Sequence, residues 1–392
     1  MQRELLIKSG RILTPFEVMQ NGVVVVRNGR IAFVGKENEA TYSANASVLD
    51  ASDKMVSPGF IDTQIVGARG FDAGGGSLEA VREVARFCSE TGTTSLLVAV
   101  GTSPFKKLVQ GLRGVRDAIR KGTDSAEVLG IHLEGPYISP IKKGAHNLKY
   151  IRPPSISELD LIVRESGDKL ILATVAPEVQ GAISFIRELK KRGIVVSIGH
   201  SNATYEETLI GIRAGISHAT HVFNGMREFH HREPGILGAV FTCDNVTASL
   251  IADGIHVHPA AMKTLVKAKG TDRIVLITDS TVAGLRDGTY KLGGLDLVLS
   301  QGVCKLKSGL SLAGSSLTMN IAVRNMIELV GVPIQDALKM ATINPARVID
   351  VNSRKGSIEI GKDADIIVID EKINVYATLV KGKVVHNVLE QN

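Results

Sequence analysis

His132-Leu133-Glu134 closes an apolar run, Val128 to Glu134, that stops at Gly135-Pro136. An apolar stretch halted by Gly-Pro reads as a buried strand with an abrupt end. Residues two apart on a strand share a face, so His132 and Glu134 point the same way. A carboxylate desolvated there must be paired, neutralised or bound to a cation. For one Glu taken alone, a buried salt bridge explains as much. The same ending recurs, however, at His200 in Ser197-Ile198-Gly199-His200-Ser201, His221 in His218-Ala219-Thr220-His221, His256 in Asp253-Gly254-Ile255-His256 and Asp279 in Thr278-Asp279-Ser280. Any single histidine is more often a hydrogen-bonded core residue than a ligand, but this many at successive strand ends is a poor fit to accident. One carboxylate and two imidazoles make a three-ligand catalytic site for zinc or a similar divalent ion, with a position left for water.

Residues so placed need a scaffold whose strands all end on one face. Strand-like runs occur at Pro58-Gly59-Phe60-Ile61-Asp62, Thr94 to Val100, Val128 to Glu134, Leu170 to Val175, Ile194 to Gly199, Ile216 to Val222, Ala248 to Ile255 and Arg273 to Asp279. Amphipathic helical stretches such as Ser77 to Thr91 and Thr204 to Ala214 fill most of the gaps. Eight such units predict an α/β fold, a TIM-like (β/α)8 barrel over 57–350, with its active site at the C-terminal ends of the strands. Gly74-Gly75-Gly76 reads as a flexible loop rather than a phosphate cradle, since no G-x-G-x-x-G pattern follows a strand.

Both ends of the chain have a different texture. Leu5-Leu6-Ile7, Val23 to Val26 and Ile31 to Val34 are separated by Asn21-Gly22 and Asn28-Gly29, which are hairpin signals. Ile366 to Asp370 and Thr378 to Val385 repeat the pattern with a Gly382 turn. Neither end can bury a core alone. Residues 1–56 and 351–392 are therefore expected to share one small β-domain.

At 392 residues, 44% hydrophobic and 22% charged, the chain can bury a large core and is not a disordered protein. The net charge of +6 suits an anionic ligand, yet Lys and Arg are dispersed, aromatics are 4% and Trp is absent. Nucleic-acid stacking platforms are thereby disfavoured. Cys88, Cys243 and Cys304 are odd in number and far apart, which argues against disulfides or a cysteine zinc site and fits a reducing compartment. Met1-Gln2-Arg3-Glu4 opens no signal-peptide pattern, and no apolar run approaches membrane-spanning length. A cytoplasmic protein is expected.

Pro58-Gly59-Phe60-Ile61-Asp62, the strand-end histidines, Thr278-Asp279 and Gly361-Lys362-Asp363-Ala364-Asp365 resemble the amidohydrolase superfamily. Within it the chain is similar to the N-acetylglucosamine-6-phosphate deacetylases. That likeness rests on His132-Leu133-Glu134-Gly135-Pro136, Lys142-Lys143-Gly144-Ala145-His146-Asn147 and His221-Val222-Phe223-Asn224-Gly225-Met226. It continues through Arg232-Glu233-Pro234-Gly235, Asp253-Gly254-Ile255-His256 and Leu312-Ala313-Gly314-Ser315-Ser316-Leu317-Thr318-Met319. These motifs span nearly the whole chain in the family's order.

The resemblance implies a barrel with a small β-sandwich domain built from both termini, and a homodimer. It implies metal binding by Glu134, His200 and His221, and proton transfer by Asp279. It implies contacts to a sugar phosphate from Ala145, His146, Asn224, Gly225, Arg232, Asp253 and His256, and from the Leu312-Ala313-Gly314 backbone. Arg232 would reach the phosphate across the dimer interface, its planar fork matching phosphate oxygens. The metal would bring its water's pKa toward neutrality, while Asp279 takes that proton and returns it to the leaving amine, and His146 polarises the amide carbonyl. The implied reaction, part of amino-sugar catabolism, converts N-acetyl-D-glucosamine 6-phosphate to D-glucosamine 6-phosphate and acetate.

Two departures bear on the metal. Many superfamily members carry His-x-His after the first strand, where this chain has Gln64 and Val66. Val66 cannot ligate, so one divalent ion is expected, zinc first, with Fe2+ or another divalent ion the alternative. His218 reads as packing beside the site. His230-His231 do not read as a chelate, because adjacent side chains on an extended chain point apart. The galactosamine 4-epimer remains open as substrate, since one hydroxyl decides it. Cyclic-amide hydrolysis fits less well, since those relatives generally use two metals and lack the Arg232 and His146 motifs. A non-catalytic scaffold on the same fold is opposed by the joint presence of Glu134, His200, His221 and Asp279.

Overall fold

The computed structural model describes residues 4–14, 17–309 and 311–389; the Met1-Gln2-Arg3 start read above, Pro15, Phe16, Leu310 and the last three residues lie outside the described residues. Eight parallel strands form the barrel: β1 (Phe60–Ile65), β2 (Thr93–Gly101), β3 (Glu127–Glu134), β4 (Leu170–Val175), β5 (Val195–Ile198), β6 (Ile216–Ala219), β7 (Thr247–Ile251) and β8 (Ile274–Ile277). Each pairs with its neighbour in chain order. The ring closes past the end of β8, where Asp279 N donates to Gln64 O at 2.9 Å and Val66 N to Ser280 O at 2.9 Å. Helices α1 (Leu78–Glu90), α2 (Phe105–Lys121), α3 (Ile156–Ser166), α4 (Ala182–Lys191), α5 (Tyr205–Ala214), α6 (Gly235–Thr242), α7 (Pro259–Lys269) and α8 (Met319–Asn325) lie between and after the strands.

Local sequence explains the helix starts. Ser77 caps α1 by accepting from Ala80 N, and Thr204 with Glu207 forms a reciprocal capping box on α5. The apolar stripes of these helices face the strands, and the largest core joins residues such as Val84, Leu112, Ile162, Phe185 and Leu265 to the barrel wall. The far end of the barrel is plugged by Ala346 and Ile349, packed on Ile61, Leu97 and Leu172.

Both termini meet in one small β-unit. Its seven strands run 383–387, 375–380, 366–369, 47–58, 4–13, 18–27 and 30–36 in spatial order. The sheet curls so that the 30–36 edge reaches the segment leading into strand 366–369. Ile31 N donates to Lys362 O at 2.9 Å, Ala364 N to Gly29 O at 2.8 Å, and Ile7, Val24 and Ile31 share a core with Ile366, Val368 and Leu379. Pro58, expected in the first barrel strand, instead pairs with Ile366 in this sheet, and β1 begins after Gly59.

Two sequence expectations are corrected, and one element is added. Asn28-Gly29 is a two-residue hairpin turn, both residues with positive φ, but Asn21-Gly22 is not a turn: Gly22 pairs with Ser9 inside strand 18–27, and Asn21 takes the left-handed conformation there. Gly74-Gly75-Gly76 is a tight built turn rather than a flexible loop. Asp72 accepts from Gly75 N, and a Cβ at Gly76 would come within 2.7 Å of Gly111 O on α2. An antiparallel meander follows β8 that the sequence reading did not isolate, with strands Gly288–Leu292, Leu295–Ser300 and Val303–Leu306.

Candidate metal centre and active site

Strands β5, β6 and β8 stop earlier than their apolar runs suggested, and for one reason. His200, His221 and Asp279 have φ of 46°, 34° and 47°, a left-handed backbone that breaks the strand's alternation. Each turn is held by main-chain bonds: Ser139 N donates to His200 O at 2.8 Å, Val222 N to Ser249 O at 2.9 Å, and Ser315 N to Asp279 O at 2.9 Å. The three side chains thereby converge at the barrel mouth on Glu134, the last residue of β3.

Two backbone carbonyls fix the imidazoles. His200 Nδ1 lies 2.9 Å from Lys142 O, and His221 Nδ1 lies 3.2 Å from Asn224 O. A carbonyl oxygen only accepts, so each Nδ1 carries a hydrogen and Nε2 is the ring nitrogen left to act as a ligand. Those two Nε2 atoms are 3.1 Å apart, and Glu134 Oε1 lies 3.1 Å from one and 3.4 Å from the other. Three acceptors gathered this closely repel one another unless a cation lies among them. The donor set, two imidazole nitrogens and a carboxylate oxygen within 4.8 Å of one another, suits a borderline divalent metal ion. Both Nδ1–H bonds are the orienting contacts such a ligand set requires.

Space around His200 is kept by glycine. A Cβ on Gly225 would lie 2.9 Å from His200 Nδ1, and one on Gly144 would lie 3.0 Å from Cε1, each from a residue with positive φ. Gly225, read from sequence as a substrate contact, therefore has a packing reason of its own.

Asp279 stands beside the centre rather than in it. Gln64 Nε2 donates to Glu134 Oε1 at 2.8 Å and to Asp279 Oδ1 at 3.1 Å. Burial, and then the charge of Glu134, push the Asp279 carboxyl up to about 8; a cation among the three ligands would oppose both effects. Burial lifts Asp62 to about 6; its carboxylate accepts from Thr278 Oγ1 at 2.5 Å and from Gln64 N at 3.1 Å. Beneath the ligands His132 Nε2 meets Thr174 Oγ1 at 2.8 Å, continuing through Thr220 to Ser197. His218 bonds Thr247 Oγ1 at 2.7 Å and is buried, in keeping with a packing role.

The other sequence candidates divide into those gathered at the centre and those outside it. The His146 ring meets the His200 ring edge-on with centroids 4.5 Å apart, and burial followed by the neighbouring His200 pushes its pKa down to about 3. Asn224 turns a buried Nδ2 without a hydrogen-bond partner. Ala145 and Ala313 share one small cluster with Val282 and with Leu297 and Cys304 of the meander, and Ala313 N donates to Cys304 O at 3.1 Å. The unpredicted meander is thus what carries Leu312-Ala313-Gly314 to Asp279. Asp253 and His256 bond each other at 2.6 Å, while Ile255 N and His256 N also donate to Asp253.

Arg232, expected to serve the neighbouring subunit, is not gathered at this centre. It is exposed, and its Nη1 lies 2.8 Å from His231 Nε2. The His230 and His231 rings meet at a 39° tilt with centroids 4.3 Å apart instead of pointing apart, because bonds between His230 and Glu233 fold this segment into a turn. They join no metal cluster among the described residues. Of the residues now seen at the centre, Gln64 was legible as a polar residue two positions from Asp62 on an inward strand face. The Lys142 and Asn224 carbonyls carried no such signal.

The amidohydrolase family model matches residues 55–385. An N-acetylglucosamine-6-phosphate deacetylase of Bacillus subtilis (strain 168) is 36% identical over 389 residues, covering 98% of both chains. An N-acetylgalactosamine-6-phosphate deacetylase of Escherichia coli O157:H7 is 36% identical over 379 residues, covering 96% of this chain and 98% of the relative. Among solved structures, a mutant N-acetyl-D-glucosamine-6-phosphate deacetylase from Mycobacterium smegmatis, in complex with N-acetyl-D-glucosamine-6-phosphate, superposes with a TM-score of 0.92 at 30% identity, covering 98% of this chain and all of the other. Among the described residues, no helix is long and apolar enough to cross a membrane.

Proposed function

This chain belongs to the amidohydrolase family, and on that premise we propose that it is a metal-dependent deacetylase converting N-acetyl-D-glucosamine 6-phosphate to D-glucosamine 6-phosphate and acetate. The carrying observation is the cluster of Glu134, His200 and His221 with Asp279 tethered beside it through Gln64. Relatives that deacetylate this class of sugar phosphate support the same reading.

Glu134, His200 and His221 would hold one divalent ion per chain, zinc in our reading. Bound there, the ion supplies Lewis acidity, polarising an amide carbonyl and acidifying water. Asp279 takes a proton from the attacking water and delivers it to the departing amine. His146, neutral at pH 7 by its depressed pKa, donates a hydrogen bond to the amide oxygen without adding charge. Asn224 offers its free Nδ2 hydrogens to a sugar oxygen. Ala145, Gly225, Asp253, His256 and the backbone of Leu312, Ala313 and Gly314 line the rest of the substrate.

Arg232 belongs, in this proposal, to the neighbouring site of a homodimer, where its guanidinium pairs with the substrate phosphate. Its exposure and that of Phe229, 54% in the isolated chain, support a surface covered in the assembly. The same reading makes the protein cytoplasmic, serving amino-sugar catabolism, and divides it into a β-domain of residues 1–56 and 351–392 around a catalytic barrel of 57–350.

The galactosamine epimer is the second reading, favoured by the equal 36% identity to a deacetylase of that sugar. Acetate release from both 6-phosphates and both unphosphorylated sugars separates the possibilities. A higher kcat/KM for N-acetylglucosamine 6-phosphate supports the proposal, and a higher value for its epimer replaces the substrate. Equal turnover of the unphosphorylated sugars overturns the sugar-phosphate assignment.

A further inference from the structure

Gln64 is the penultimate residue of β1, at the seam where the barrel closes. Its main-chain N donates to Asp62 Oδ1 at 3.1 Å, and its carbonyl accepts from Asp279 N at 2.9 Å. The residue is 1% exposed. Its one side-chain nitrogen reaches two carboxylates, Glu134 at 2.8 Å and Asp279 at 3.1 Å, and an amide NH2 has a hydrogen for each.

Two carboxylates that converge on one buried point repel, and three things can hold them: a shared proton, a cation or neutral donors. Here the neutral donor is in place, and Val66, two residues on, offers no ligand atom. Resting on the metal-centre reading above, we infer that Gln64 is a positioning residue whose amide takes the place of a second cation. It holds Asp279 beside the metal ligand Glu134 while drawing no further ion into the site. Being uncharged, the amide leaves the total charge to be balanced by the single ion of the Glu134–His200–His221 cluster.

The test uses the metal-loaded enzyme and two near-isosteric variants, Gln64→Met, which removes both donors, and Gln64→Glu, which adds a third carboxylate. Ions per chain are counted by elemental analysis, further zinc binding is followed by calorimetry, and kcat and KM are measured separately. The native enzyme should hold one ion and show no second site. Gln64→Met should keep that ion and its KM while kcat falls about 100-fold, the cost of misplacing a reacting group by ~1 Å. Gln64→Glu should gain a second zinc site. A merely structural role would not create that site or split kcat from KM.

Native kcat in Gln64→Met, no added ion in Gln64→Glu, or two ions in the native enzyme would each overturn the inference. The native count still decides if a variant misfolds. Turnover by the native enzyme tests the deacetylase reading separately: an active native enzyme with an unimpaired Gln64→Met leaves that reading standing and removes this one.

Discussion

The Lys142 carbonyl lies 2.9 Å from Nδ1 of His200, joining the Lys142-Lys143-Gly144 loop to a strand end 58 residues later. This bond sets the tautomer and so commits Nε2 to the space shared with His221 and Glu134. The ion bound there should depend on all three ligands. His221→Ala is expected to leave less than a tenth of an ion per chain after dialysis, against one in the native enzyme, by elemental analysis. A variant that retains a full ion would place the metal elsewhere.

Asp279 should act on protons rather than on metal. Its carboxylate bonds Gln64 and is absent from the three-residue cluster. Asp279→Asn keeps shape and removes the base, so kcat should fall by about 10²- to 10⁴-fold, with the ion count and KM largely kept. Unchanged turnover would exclude Asp279 from the mechanism, and loss of the ion would make it a ligand.

Much of this site was legible because its residue types are rare at the positions they occupy. A Glu on the inward face of an apolar run, and histidines where such runs stop, needed only strand alternation to be grouped. Strand lengths were not legible: His221 takes φ of 34° and ends β6 at Ala219, though the apolar run continues to Val222. Left-handed backbone at a non-glycine residue has no signature in composition. Gln64 was read for what it could not ligate, which hid what it could donate. The meander after β8 carried its own turn signals, Gly293-Gly294 and Gln301-Gly302, but its short strands bury little and have weak apolar patterns. The phosphate role proposed for Arg232 came only through the resemblance, since no contact among the described residues places it against the metal cluster.

The junction of barrel and β-unit gives a pH prediction. Lys355, 1% exposed, lies 2.8 Å from Glu127 and 3.2 Å from Asp363, and also pairs with Asp365. Burial pushes the Glu127 carboxyl up, but Lys355, Lys381 and Arg354 together hold it down at about 2. A folded pKa below the unfolded value of 4.5 stabilises fully above that pH and is lost as pH falls toward 2. Asp365 works in the opposite direction, because burial raises its carboxyl against the pull of Lys355. Lys355→Met removes the charged partner of the buried Asp365 and one of three cations at Glu127, and should cost about 3–5 kcal/mol at pH 7. Urea unfolding should show that deficit shrinking between pH 4.5 and 2, where Glu127 takes up its proton. A deficit constant across that range would mean that packing of the Lys355 stem, not its charge, holds the junction.

Arg232 separates reading of the phosphate from reading of the sugar. Its guanidinium is exposed in the chain and, among the described residues, bonds the His231 ring and forms no ion pair. A hydrogen bond to a charged group contributes roughly 1.5–3 kcal/mol, or about 10- to 150-fold in rate. Arg232→Ala should therefore lower kcat/KM for the phosphorylated sugar by that factor and leave the unphosphorylated sugar nearly unchanged. An equal loss on both sugars would mean that it does not read phosphate. Sharing between subunits is then tested by mixing Arg232→Ala with Asp279→Asn chains under conditions where exchange is shown to occur. In a mixed dimer one site regains an intact Asp279 and an intact Arg232, and activity above that of either parent places the arginine across the interface. Continued inactivity despite exchange assigns Arg232 to its own barrel.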